Sequence, residues 1–111
     1  MREYNPDKWV MLKFIHNGSV IYKILATFYG GYLSGDSWKL NSGCTKIEED
    51  GQCFLFHGSS GSVYRCHKNA YGMGGYTSGV YASFQKEVDE AEDVEMELLP
   101  ADTNFREIEY E

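Results

Sequence analysis

Two dipeptides, Asn17-Gly18 and Asp50-Gly51, each stand between two runs rich in β-branched and aromatic residues, and this arrangement commits the chain to antiparallel hairpins. The tightest hairpin turn needs positive φ at its central positions, which Asn, Asp and Gly adopt at least cost. Trp9-Val10-Met11-Leu12-Lys13-Phe14-Ile15 reads as a strand beginning at Lys8, and Val20 to Tyr29 as its return. Gly30-Gly31 ends or bends that return strand. Around Asp50-Gly51, Cys44 to Glu49 is answered by Cys53 to His57. The loop Gly58-Ser59-Ser60-Gly61-Ser62 then leads into Val63 to His67. Three strands joined by tight turns form a meander, with Cys53 to Gly72 as its central stretch.

The remaining segments carry weaker punctuation. Tyr32 to Gly43 reads as a loop with a short strand at Trp38 to Leu40, where Trp38 and Leu40 share one side and Lys39 takes the other. Glycines at 72, 74, 75 and 79 mark Lys68 to Gly79 as a flexible loop. Thr77 or Ser78 is placed to cap a short helix from near Val80, with Val80, Tyr81, Phe84 and Val88 along one face. Val94 to Leu98 alternates as a strand with one wet, acidic face, and Leu99-Pro100 ends it. Phe105 and Ile108 are expected to pack back onto the body. The fold class is therefore α+β: a strongly bent antiparallel β-sheet or small open barrel of about five to six strands, with one short helix. One domain is expected over residues 1–111, with 1–7 and 109–111 frayed.

Charge is divided sharply along this chain. Residues 1–86 hold nine Lys/Arg and six Asp/Glu, a net of +3, whereas residues 87–111 hold Arg106 against eleven acids, a net of −10. Such asymmetry bears on partners rather than on fold. No apolar run reaches the roughly 18 residues of a membrane span, so a soluble, cytoplasmic protein without membrane contact is expected. Three cysteines cannot all pair internally, and reduced thiols are expected.

Five constellations bear on chemistry. Cys44, Cys53, His57, Cys66 and His67 offer zinc-compatible atoms. Their spacing is poor, because Cys53 and His57 lie ~13 Å apart along one strand and Cys66 and His67 face opposite ways. Cys/His nucleophilic catalysis lacks an activated thiol, and the Gly58–Ser62 loop joins strand to strand rather than forming a nucleophile elbow. No catalytic residue, metal ligand or cofactor is assigned, and the chain is expected not to be an enzyme. The same loop could instead turn backbone N–H groups and serine hydroxyls towards an anion, with Ser59, Ser60, Ser62, Tyr64, Arg65 and Tyr71 as ligand-binding candidates. Scattered lysines among aromatics on the strands fall short of a basic stripe, so direct nucleic-acid binding is not expected.

The strongest signal is the run Glu87, Asp89, Glu90, Glu92, Asp93, Glu95 and Glu97, seven carboxylates in eleven residues. At its plainest, such a run only solvates an edge. Read functionally, it imitates nucleic-acid phosphates. Glu95 and Glu97 share a strand face at ~6.6 Å, near twice the rise per residue and comparable to phosphate spacing.

Two stretches, YKILATFYGGYLSGDSWKLNSG (Tyr22 to Gly43) and FHGSSGSVYRCHKNAYG (Phe56 to Gly72), resemble small accessory proteins of bacteriophages and mobile elements. That resemblance implies an inhibitor of host defence of the anti-CRISPR kind, acting by binding in the cytoplasm of an infected bacterium. It carries no site residues with it. The expected function is a non-enzymatic binding protein whose acidic surface engages the basic groove of a bacterial nucleic-acid-targeting complex. The alternatives are a nucleotide- or anion-binding module at Gly58 to Ser62, and a small zinc-binding protein. Oligomeric state stays open.

Overall fold

The computed structural model describes residues 2–110. Its strands are β1 (Arg2–Tyr4), β2 (Lys8–His16), β3 (Ser19–Phe28), β4 (Ser37–Leu40), β5 (Cys44–Asp50), β6 (Cys53–Gly58), β7 (Ser62–His67) and β8 (Val94–Leu98). A one-turn helix α1 (Gly31–Ser34) and a four-turn helix α2 (Gly75–Glu90) complete it, with a 3₁₀ turn at Phe105–Glu107.

The expected single bent sheet is in fact two four-stranded sheets, ordered β1-β7-β6-β5 and β4-β3-β2-β8. Eight strands replace the expected five to six, and the sheets do not close into a barrel. The broad α+β class holds. The reason for two sheets lies in the inward faces. Trp9, Met11, Ile24 and Ala26 of the second sheet pack against Phe54, Phe56, Tyr64 and Cys66 of the first, all nearly or completely buried. Trp9 sits at the centre, with ring centroids 5.3 Å from Phe56, 4.8 Å from Tyr71 and 5.1 Å from Phe105. Such edge-on and tilted aromatic pairs add to the area they bury. Phe105 and Ile108 pack into this core as the sequence suggests.

The opposite face of the second sheet is also apolar. Val10, Leu12 and Leu25 lie beneath Tyr81 and Phe84 of α2, so the order of layers is sheet, sheet, helix. A β-strand buried on both faces reads as a continuous apolar run, and Trp9 to Leu12 is such a run. Trp38 and Leu40 do share the α2 side, Trp38 packing on Phe84 at 5.5 Å. No helix among the described residues is long and apolar enough to cross a membrane.

The turns follow their residues with one shift. Asn17 (φ 51°) and Gly18 (φ 81°) are both left-handed, as the tight turn between β2 and β3 demands. Asp50, however, pairs with Cys53, so the second two-residue turn is Gly51-Gln52 and only Gly51 has positive φ. Glycine at the first central position is the signature of the other favoured hairpin turn.

Three further expectations are corrected. Arg2–Tyr4 is not loose but pairs in parallel with Ser62–Tyr64, and Tyr110 packs against the core; Met1 and Glu111 lie outside the described residues. The helix begins at Gly75, not near Val80, and runs 16 residues. Neither Thr77 nor Ser78 caps it. Thr77 is fully buried and accepts a 2.7 Å hydrogen bond from Thr27 Oγ1, while Gly74 occupies the cap position. A Cβ at Gly74 would meet Thr27 Cγ2 and Tyr29 Cε1 at 3.1 and 3.0 Å, so glycine lets the helix start this close to β3 without displacing either side chain.

Candidate functional site

The acidic run occupies one corner of the molecule. Glu87, Asp89 and Glu90 stand on the last turn of α2, Glu92 and Asp93 on the connecting turn, and Glu95 and Glu97 on β8. All seven are exposed. β8 is an edge strand whose Met96 and Leu98 face the helix, and their alternation turns Glu95 and Glu97 to the other side. A shallow cleft of about 360 Å³ lies here, lined by Asp89, Glu95 and Glu97 with Lys13 and Gln85.

What distinguishes these acids is that so many stand together with so few partners. Among the described residues only Asp93 is paired, with His16 Nε2 at 3.0 Å. Glu87, Asp89, Glu90, Glu92, Glu95 and Glu97 make no ion pair. The acids of β1 and β5, by contrast, are engaged. Arg65 joins Glu3 at 3.4 Å and Asp50 at 2.9 Å, and His57 meets Glu48. Glu49 takes both Lys68 and Arg106, whose hydrogen bonds hold its carboxyl below the usual range. Asp7 accepts from the Tyr29 backbone N–H at 2.8 Å. Arg106, the only cation after residue 87, is therefore spent on β5. The acidic corner also sits at the negative end of α2, whose last turn holds no basic residue. Helix dipole and side chains thus add to one negative field.

The six anion-binding candidates do not all meet. Ser60, Ser62 and Tyr64 line one cavity of about 380 Å³. Ser59 turns to the other side, donating to Ser42 Oγ at 2.9 Å. Arg65 lies on the far face of its sheet, held by Glu3 and Asp50. Tyr71 is interior: its hydroxyl accepts from Met11 N–H at 3.0 Å and donates to the Leu99 carbonyl at 2.6 Å, and burial pushes its pKa up to about 12. The loop's backbone donors are consumed as well. Ser59, Ser60 and Gly61 N–H groups bond to Gly43 O, Ser42 Oγ and Gly58 O. A cradle of backbone N–H groups is therefore absent from this loop. Two residues that sequence reasoning missed, Arg2 and Lys39, complete the cavity. They lie tens of residues from Ser60 in the chain, and no local pattern joins them.

The cysteines are separate and free. Burial raises the Cys44 thiol to about 12 and Cys66 well above its ordinary value, which suppresses thiolate at both. Cys53 and His67 face each other across β6 and β7, with Sγ 3.5 Å from Nδ1. Cys53 is only 5% exposed, which leaves little approach to its sulfur. Among the described residues no group of three or more His, Cys, Asp or Glu side chains is placed to hold a metal ion.

Compared with models of known protein families, with curated proteins and with solved structures, the chain matches none.

Proposed function

We propose that this chain is a binding protein whose acidic corner docks on the basic, nucleic-acid-binding groove of another protein and blocks it. The observation that carries this reading is the set of six exposed carboxylates gathered at one corner, none of them in an ion pair among the described residues. A protein that needed charge only for solubility has no reason to concentrate it where a helix dipole already opposes it. Like charges held on a fixed scaffold give up little entropy when a basic groove neutralises them, and they steer that encounter. The groove of a bacterial nucleic-acid-targeting defence complex fits this description, which makes the chain an inhibitor that occupies the place of phosphates. Its own cations are scattered or engaged, so it does not bind nucleic acid itself.

The test is capture from bacterial lysate by immobilised protein, with and without competing duplex DNA. Nucleic-acid-binding proteins are expected on the resin, displaced by the DNA and by raised salt. The variant carrying Glu90→Lys, Glu92→Lys, Glu95→Lys and Glu97→Lys loses them while remaining folded. Unchanged capture by that variant would falsify the electrostatic docking.

A further inference from the structure

A second, oppositely charged site lies across the molecule from the acidic corner. The cavity of about 380 Å³ beside the β6–β7 loop is bounded by β1, the end of β4 and the Asn41-Ser42 corner. Its walls carry Arg2, Lys39, Tyr4, Tyr64, Ser60 and Ser62, and no carboxylate. Arg2 Nη1 donates to the Tyr4 hydroxyl at 3.2 Å, and Lys39 Nζ stands 5.0 Å from the centre of the Tyr4 ring. Among the described residues neither cation meets a carboxylate, whereas Arg65, Lys68 and Arg106 all do.

Tyr64 supplies the independent observation. It is 3% exposed, yet its hydroxyl has no protein partner among the described residues. No fully buried polar side-chain atom there is left without one, so this oxygen opens into the cavity. Burial pushes the Tyr64 hydroxyl up to about 12, which keeps it a neutral donor at physiological pH. A hydroxyl that opens into a space also holding two cations without carboxylate partners is placed to donate to an anion there.

We propose that this cavity binds a small phosphate monoester, with the phosphate held by Arg2, Lys39, the Tyr64 hydroxyl and the hydroxyls of Ser60 and Ser62. A phosphate dianion offers only acceptors and suits a guanidinium, an ammonium and several hydroxyls together. The volume exceeds that of a bare ion and lies within the range of small-molecule pockets, leaving room for an organic group. Recognition is by side chains, since the backbone donors of the loop are already bonded. The site is independent of the acidic corner.

The test is isothermal titration of the full chain with inorganic phosphate, adenosine 5′-monophosphate and adenosine. The monophosphate is expected to bind and adenosine not to. Phosphate alone binding as tightly as the monophosphate identifies the free ion as ligand and still places an anion here. Lys39→Ala, at an exposed position, weakens binding by roughly tenfold or more, the worth of a hydrogen bond to a charged group. Tyr64→Phe weakens it with the fold intact by circular dichroism. Lys23→Ala, a cation outside the cavity, leaves it unchanged, as does reversal of the acidic corner. Binding of neither phosphate species, binding of adenosine as strong as of the monophosphate, or equal binding by Lys39→Ala, overturns the proposal.

Discussion

The outer face of the β1-β7-β6-β5 sheet and the α2–β8 corner are both rich in acids, yet they treat them in opposite ways. On the sheet face, cross-strand register sets cations among carboxylates: Arg65 lies between Glu3 of β1 and Asp50 of β5. At the corner, helix, turn and edge strand bring six carboxylates together with no cation paired to any of them. Charge on the first face is used up within the fold. At the corner it is left over, and leftover charge is what a partner can use. Exposed pairs contribute little stability each, so the difference between the two regions lies mainly in the field they project.

The largest expected effect comes from unseating the helix that carries the corner. Thr77→Val removes the acceptor of the buried Thr27 hydroxyl and should cost about 1 to 3 kcal/mol, read from urea unfolding. Partner capture should weaken with it, because Glu87 to Glu90 ride on α2. If Thr77→Val left stability unchanged, the anchoring of the helix would be misassigned.

Arg65→Ala should have the next largest effect. It leaves Glu3 and Asp50 without their shared cation and should lower the urea midpoint by less than Thr77→Val does, with partner capture unaltered. Loss of capture in this variant would erase the distinction between the two regions.

The smallest effect has the opposite sign. Glu90→Gln removes a negative charge from the negative end of α2 and should stabilise the fold by about 0.3 to 1 kcal/mol in thermal unfolding. A corner whose acids were there for stability would lose, not gain.

How much of this was legible depended on distance along the chain. The β2–β3 hairpin, the β5-β6-β7 meander, the apolar face of Tyr81 and Phe84 and the alternation in β8 are local patterns, and all appear in the structure. The parallel strand Arg2–Tyr4 was invisible because three residues, only Tyr4 of them a strand former, are too short a run to show a pattern. It exists because Ser62–Tyr64, some sixty residues away, offers a free edge. The early start of α2 was hidden for a similar reason. Gly75 and Gly79 are poor helix formers, and tertiary contact between Thr77 and Thr27 overrides that preference. The division into two sheets follows from which faces bury, and Trp9 to Leu12, apolar on both faces, does not declare that it divides its contacts between a sheet and a helix. The acidic corner could be read from composition, but its want of partners could not. Arg106 had to be seen reaching back to Glu49, and Lys13 standing in the cleft outside any ion pair among the described residues, before the corner's excess of negative charge was evident.

The most direct measurement neutralises equal charge in both regions and compares them in one assay. One variant carries Glu90, Glu92, Glu95 and Glu97 as glutamines; the other carries Glu3, Glu48, Glu49 and Asp50 as their amides. Capture of nucleic-acid-binding proteins across a salt series, alongside urea unfolding, is read for each. The corner variant should lose capture and keep or gain stability, while the sheet-face variant keeps capture and loses stability. If the corner variant still captures those partners with the same salt dependence, the unpaired carboxylates are not the binding surface.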